Sequence, residues 1–132
     1  MNTKTDLFFV YGSLKKGGYF SHKFDSLRIE SICAEIDGFN LFDLGDFPCI
    51  LPGKGKVIGE LHTYIEPKLA TMLMDTVERY DSTLNNGMYI RTRISVKTIN
   101  NEVFEANVYV FNCELPHYAK IVKSGFWNII GE

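Results

Sequence analysis

The sequence predicts an α+β fold, a small and mostly antiparallel β-barrel of about six strands with one main helix. Aromatic residues make up 14% of the 132 residues, and they favour sheets because their side chains fit pleated surfaces. Only one segment, residues 65–80, carries apolar residues at helical spacing. The other apolar runs are short and bounded by turn residues, so we expect hairpin-connected strands that curl into a barrel with the helix against it.

The composition is that of one domain, residues 1–132, and it excludes several classes of function. A net charge of −2 gives no electrostatic basis for binding nucleic acid or an anionic membrane. The three cysteines, Cys33, Cys49 and Cys113, are too widely spaced for a zinc site or a disulfide framework. There is neither a signal-peptide core nor an apolar run near the roughly 20 residues of a membrane-spanning helix. We therefore expect a soluble, cytoplasmic protein.

Four strands are predicted in the N-terminal half, at residues 6–11, 27–38, 39–42 and 56–64. The first is an apolar and aromatic run, typical of a strand buried on both faces. The alternation of the second slips between Ile29 and Ile32, which indicates a bulge. Gly59 inside the fourth marks a bulge or a close approach of another backbone. Residues 43–55, with three glycines and two prolines, are predicted to form a long structured loop.

The C-terminal half contains the predicted helix and two further strands. Glu66 and Pro67 are typical of a helix start. One apolar face is predicted for this helix, made of Leu69, Met72, Leu73, Thr76, Val77 and Tyr80. A turn-rich loop is predicted at 81–87, and then a hairpin of two strands, 88–99 and 103–112, with its turn at 100–101. The tail, 114–132, is expected to pack a short helix against the barrel.

The first strand runs directly into a glycine-bearing turn at residues 12–18. Such a turn leaves backbone N–H groups unpaired, and a rigid strand behind it makes them a good holder for an anion or a carbonyl group. Gly12 and Gly17 have the spacing of a P-loop, but the lysine and hydroxyl residue that bind phosphate and Mg²⁺ do not follow. Nucleotide binding is therefore disfavoured, whereas a binding loop and a plain turn both remain open. Residues 19–24 are ambiguous and fit a short helical turn.

The end of the predicted helix carries two acids, Asp75 and Glu78, at a spacing that places them near each other. Glu78 adjoins the apolar stripe at the helix C-terminus, where burial and the negative end of the helix dipole would both favour its neutral form. That environment tunes a carboxyl for general acid/base catalysis. The alternative is a solvated glutamate paired with Arg79 or Arg91. The three histidines share no metal-ligand spacing.

Five blocks of the sequence together resemble the γ-glutamylcyclotransferase-like superfamily, and more narrowly its AIG2-like and γ-glutamylamine cyclotransferase branch. Residues 9–17, Phe-Val-Tyr-Gly-Ser-Leu-Lys-Lys-Gly, resemble the signature loop of this family. Four further blocks follow in the family's order: Asp-Phe-Pro-Cys-Ile at 46–50, Val-Ile-Gly-Glu-Leu at 57–61, Met-Asp-Thr-Val-Glu at 74–78 and Tyr-Ile-Arg at 89–91. The blocks cover about residues 7–110.

The resemblance implies a barrel with a pocket at one end and a reaction that needs no metal or organic cofactor. In that reaction the α-amine of a small γ-glutamyl substrate attacks its own γ-carbonyl, which releases 5-oxoproline and a free amine. The resemblance implies that Glu78 is the catalytic acid and base. It assigns substrate binding to Tyr11, Gly12, Ser13, Leu14 and Tyr89, with added positive potential from Lys15.

Two departures from the family pattern bear on the choice of substrate. Arg79 directly follows Glu78, where the family usually has glycine, and the loop 80–88 is somewhat long. A cation against Glu78 would hold it ionised and weaken it as an acid. A non-catalytic domain on the same fold that binds a small ligand is therefore the alternative. In a third interpretation, the protein is an unrelated small barrel whose glycine loop is only a turn.

Overall fold

The computed structural model of the chain describes residues 7–12, 15, 22 and 24–127. Predictions for residues 1–6, 13–14, 16–21, 23 and 128–132 lie outside the described residues, among them most of the 12–18 turn and of the ambiguous 19–24 segment. The elements are β1 (Leu7–Val10), β2 (Arg28–Asp43), β3 (Pro48–Tyr64), α1 (Pro67–Val77), β4 (Tyr80–Asp81), β5 (Asn86–Gly87), β6 (Tyr89–Thr98), β7 (Val103–Phe111) and β8 (Lys120–Ile121).

Five strands close into a barrel in the order β3-β1-β7-β6-β2, and β2 then pairs back with β3. β8 extends β2, while β4 and β5 form a separate small hairpin. All the barrel pairs are antiparallel except β1–β7, which is parallel. The predicted α+β fold, a mostly antiparallel barrel with one main helix, is confirmed.

Strand β1 lies between two apolar clusters and is buried on both faces, as predicted. Phe8 and Val10 belong to the cluster that also contains Ala70 and Met74 of α1. Phe9, on the opposite face, belongs to a second cluster shared by the other barrel strands. Alternate residues of one short strand thus join the barrel to the helix, because successive side chains of a strand point to opposite faces.

The β2–β3 hairpin corrects two predictions. Residues 27–38 and 39–42 belong to a single strand, and most of the predicted 43–55 loop is paired within β3, so that only the turn at 44–47 remains. Gly53 and Gly55 meet a packing need rather than mark a loop, because a Cβ at either would overlap the Asn40 side chain. One register shift lies between Arg28 and Glu30, close to the predicted bulge.

Helix α1 is shorter than predicted, and its buried face matches the predicted apolar stripe only in part. It ends at Val77, and Tyr80 belongs to β4 instead. Ala70 and Met74 are its buried residues, whereas Met72 is 67% exposed. Leu73 and Tyr80 of the predicted stripe do pack against the core cluster, but the fully buried positions are the neighbouring Ala70 and Met74. No helix of the described ranges is long and apolar enough to cross a membrane.

The tail forms a strand where a helix was predicted. Ile121 of β8 pairs with Phe42 at the end of β2, and Phe126 bridges to Ile58. Between residues 112 and 127 the structure contains no helix. The reason lies in β2, which is longer than its neighbour β6 and pairs with it only near Ala34. The far end of β2 therefore offers unpaired backbone groups, which the tail satisfies.

Gly59 is predicted to be essential for the contact between β1 and β3. A Cβ at this position would overlap the carbonyl oxygen of Val10 and the ring of Phe9. We expect Gly59→Ala to lower the free energy of unfolding, measured by urea denaturation, by about 1–3 kcal/mol, as overpacked cores do. Gly38→Ala is the control, because a Cβ there meets open space and only its positive φ of 86° is unfavourable. Equal losses in the two variants would contradict this explanation.

Candidate active site

A cavity of about 330 Å³ lies where β1 ends, beside the last turn of α1. It brings together four residues that the sequence analysis assigned to a site, namely Tyr11, Gly12, Glu78 and Tyr89. Ser13 and Leu14, assigned to the same site, lie outside the described residues. The rest of the lining comprises Phe9, Val10, Phe47, Pro48, Val77, Arg79, Met88 and Tyr109.

Glu78 occupies the C-cap of α1, and its N–H donates to the Met74 carbonyl oxygen at 2.8 Å. The Glu78 side chain is partly buried and lines the cavity. Burial raises the pKa of Glu78 to about 7. The alternative of a solvated surface glutamate is therefore not supported. A carboxyl with this pKa can both accept and donate a proton near neutral pH.

Asp75, three residues before Glu78, has a different environment. Its carboxylate accepts hydrogen bonds from Nε of Arg91 at 3.0 Å and from Nη2 of the same guanidinium at 3.2 Å. The Tyr109 hydroxyl donates to Asp75 Oδ1 at 2.5 Å. These contacts fasten the end of α1 to β6 and β7. Arg91, which could have paired with Glu78, is therefore engaged with the other acid.

Tyr11 and Tyr89 both use their hydroxyl hydrogens within the protein. The Tyr11 hydroxyl donates to the Tyr109 carbonyl oxygen at 2.6 Å, and the Tyr89 hydroxyl donates to the Pro48 carbonyl oxygen at 2.8 Å. Burial raises the pKa of both phenols, so they stay protonated. With its hydrogen engaged, each hydroxyl oxygen can act toward a ligand only as an acceptor.

The glycine turn is closed by a hydrogen bond from the Lys15 backbone N–H to the Gly12 carbonyl oxygen at 3.0 Å. The Lys15 side chain does not line the cavity, so it makes no direct contact there. It is 2% exposed, donates to the Trp127 carbonyl oxygen and lies 3.8 Å above the centroid of the Phe126 ring. Residues of the C-terminal tail therefore bind the Lys15 ammonium, and this contact attaches Lys15 to the tail.

Arg79 lies at the rim of the cavity in an unusual backbone conformation, with φ of +55°. Its N–H donates to the Thr76 carbonyl oxygen at 3.2 Å, and its carbonyl oxygen accepts from the Met88 N–H at 3.0 Å. Left-handed residues commonly end helices, and glycine is the usual choice there. This geometry explains why the family that the sequence resembles usually has glycine at this position. Among the described residues, Arg79 forms no ion pair with Glu78.

Tyr109 is the site residue that the sequence analysis missed. Strand alternation placed it on one face of β7, but only the β1–β7 and β6–β7 pairings bring that face to the cavity. The apolar wall from Phe47 and Met88 was also not assigned. For metals, no group of three or more His, Cys, Asp or Glu side chains within the described part of the chain is placed to hold an ion.

Comparisons with known proteins bear on the fold and the family. The family model described as "Gamma-glutamyl cyclotransferase, AIG2-like" matches residues 8–129. An AIG2-like protein from Mus musculus is 24% identical with a TM-score of 0.70, and the match covers 98% of this chain and 92% of that one. Protein ytfP from Escherichia coli is 28% identical with a TM-score of 0.59, and the match covers 92% and 95% of the two chains.

A third solved structure, named gamma-glutamyl cyclotransferase, is 17% identical with a TM-score of 0.57, covering 83% of this chain and 68% of that one. At this identity the likeness shows the fold alone. No functionally curated protein matches the sequence.

The raised pKa of Glu78 predicts a specific dependence of stability on pH. Between its ordinary value of 4.5 and about 7, the folded protein holds a proton on Glu78 that the unfolded chain has lost. Stability is therefore lost as pH rises through this window, by up to about 3 kcal/mol from this group. Urea unfolding at pH 5 and pH 8 should show this loss in the wild type and not in Glu78→Gln. Parallel pH profiles of the two proteins would disprove the raised pKa.

The left-handed conformation of Arg79 predicts that Arg79→Gly stabilises the fold. Glycine adopts positive φ without the clash that other residues incur, so we expect the free energy of unfolding to rise by about 1 kcal/mol. Lys68→Gly, in the first turn of α1, is the matched control and should destabilise by a similar amount. Thermal or urea unfolding measures both changes, and a loss of stability in Arg79→Gly would contradict the proposed strain.

Proposed function

The chain belongs to the gamma-glutamyl cyclotransferase, AIG2-like family, and on this premise we propose that it is a γ-glutamyl cyclotransferase. It releases 5-oxoproline and a free amine from a γ-glutamyl amine or a γ-glutamyl amino acid. The observation that carries the proposal is Glu78, a carboxyl with a pKa of about 7, in the same cavity as the Gly12 turn.

The proposed reaction is an intramolecular transfer in which atoms balance without water or a second reactant. The α-amine nitrogen of the γ-glutamyl group forms a bond to its own γ-carbonyl carbon, which closes a five-membered lactam. The amide bond to the leaving amine then breaks. Because the nucleophile is part of the substrate, the protein mainly has to hold the substrate curled, and orientation of this kind can be worth roughly 7–11 kcal/mol.

Glu78 moves the protons of this reaction. The attacking ammonium must lose one proton before its nitrogen can form a bond and a second one as the lactam forms. The leaving nitrogen must gain one proton before it departs, and the released amine takes up the other as an ammonium. A single carboxyl between the two nitrogens can take a proton from the attacking one and deliver it to the leaving one. A pKa of about 7 serves both steps, because neither protonation state is strongly favoured at neutral pH.

The turn after β1 is assigned to the oxygens of the substrate. The backbone N–H groups of Gly12, Ser13 and Leu14 would donate to the α-carboxylate or to the oxyanion that develops at the γ-carbonyl. Tyr11 and Tyr89 would contribute acceptor oxygens, since their hydroxyl hydrogens are engaged with backbone carbonyls. Two acceptors suit a substrate ammonium group, which carries only donors.

The alternative, a non-catalytic domain that binds a small ligand, depended on Arg79 holding Glu78 ionised. Burial is the cause of the pKa shift of Glu78, and the shift is upward. A neighbouring cation would act in the opposite direction. The presence of Arg79 next to Glu78 therefore does not favour the non-catalytic domain. Ligand binding without turnover is instead one possible result of the activity assay described next.

The first experiment incubates the protein with γ-glutamyl amines, including γ-glutamyl-ε-lysine, and with γ-glutamyl dipeptides, and measures 5-oxoproline. We expect product from at least one class. Glu78→Gln should bind the same substrates and lose activity by about 10²–10⁴-fold, which is the usual contribution of a general acid or base.

Glu66→Gln is the matched control for this experiment, because Glu66 is exposed at the other end of α1 and its side chain makes no capping hydrogen bond. It should retain wild-type activity. Product formation by Glu78→Gln at the wild-type rate would remove Glu78 from its role. Binding of the panel without any product would favour the non-catalytic alternative.

A further inference from the structure

Two concave surfaces meet at Arg79. The first is the cavity described above, and the second is a shallow depression beside it, between the end of α1 and the β4–β5 hairpin. The depression is lined by Asp75, Thr76, Arg79, Tyr80, Asp81, Leu84, Asn86 and Gly87. Within the described part of the chain, Arg79 alone lines both surfaces. A substrate too long for the cavity would therefore pass Arg79 to reach the depression.

We propose that Arg79 recognises a carboxylate on the leaving half of the substrate, so that the preferred substrates are γ-glutamyl amino acids rather than γ-glutamyl alkylamines. This inference rests on the proposed function, because it assigns a leaving half to the ligand. Arginine suits this role, since its planar guanidinium can donate two parallel hydrogen bonds to one carboxylate.

The charges around the depression leave Arg79 available for a ligand. Asp75 is engaged by Arg91 and by the Tyr109 hydroxyl. Asp81 Oδ1 accepts from the N–H groups of the next loop residues, at 2.9 and 3.3 Å. The Arg79 guanidinium forms no hydrogen bond or ion pair with any residue that the structure describes. It is an exposed cation whose backbone is nevertheless fixed on both sides, by Thr76 and Met88.

The position of Arg79 next to Glu78 assigns it to the leaving side of the substrate. Glu78 has to reach the leaving nitrogen in order to protonate it. In a γ-glutamyl amino acid the carboxylate of the leaving half lies only two bonds from that nitrogen. A cation on the residue adjoining Glu78, at the point where the cavity and the depression meet, is therefore well placed for this carboxylate. The glutamyl half is assigned to Gly12, at the end of β1.

A pair of matched ligands tests the inference. γ-Glutamyl-alanine and γ-glutamyl-ethylamine differ only by the carboxylate on the leaving half. Binding of each is measured by calorimetry in the Glu78→Gln protein, which removes turnover, and again in the double variant Glu78→Gln with Arg79→Gln. Glutamine removes the charge and keeps a side chain at the left-handed position. The control, Lys68→Gln in the same background, removes an exposed charge from the far end of α1.

We expect γ-glutamyl-alanine to bind about tenfold more tightly than γ-glutamyl-ethylamine, as a charge-assisted hydrogen bond would provide. Arg79→Gln should abolish this preference by weakening only the alanine ligand, and Lys68→Gln should leave it unchanged. Added salt should reduce the preference, because the contact is exposed.

Two results would overturn the inference. An unchanged preference in Arg79→Gln would show that Arg79 does not contact this carboxylate. Equal weakening of both ligands would show that it binds the glutamyl α-carboxylate, which they share. The proposed function is judged separately, by the release of 5-oxoproline from the same two compounds by the protein with Glu78 intact. An Arg79-dependent preference in binding without any product would support the carboxylate contact and contradict the enzyme.

Discussion

The ion pair between Asp75 and Arg91 fixes the part of the structure on which the site depends. Helix α1 packs against the core through two fully buried residues, Ala70 and Met74, and through the partly buried Leu73. The bidentate contact to Arg91, with the added hydrogen bond from Tyr109, attaches the last turn of the helix to β6 and β7. Glu78 lies less than one turn further on, and its position over the cavity follows from that attachment.

The same interaction separates the roles of two acids that are three residues apart. The Asp75 carboxylate accepts hydrogen bonds from the Arg91 guanidinium, whereas Glu78 forms no ion pair with a residue that the structure describes, and burial raises its pKa. One short segment thus holds a carboxylate that attaches the helix to the barrel and a carboxyl to which we assign proton transfer in the proposed reaction. A carboxyl whose pKa is raised by burial is a common feature of active sites.

The sequence pattern was sufficient to predict those elements that are determined by their own residues. Strand β1, the existence of α1 and the hairpin turn near Asn100 all follow from apolar runs, periodicity and turn residues. The sequence pattern did not predict features that depend on contacts with a segment distant in sequence. The crowding by Asn40 that requires glycine in β3, and the pairing that brings Tyr109 to the cavity, depend on strands far apart in sequence. The placement of Glu78 and Gly12 in one cavity also depends on segments that are distant in sequence, and the family resemblance, rather than periodicity, indicated it.

Arg79 connects the backbone of the site to its specificity. A residue with a Cβ costs on the order of 1–2 kcal/mol in the left-handed region, and the helix could end there with glycine at no such cost. Backbone strain of this size clusters at functional sites, where another requirement outweighs it. We propose that this requirement is a cation on a fixed backbone where the cavity and the depression meet. A glycine would release the strain and leave Arg79's position uncharged, so stability and the proposed recognition of a carboxylate make opposite demands on this one position.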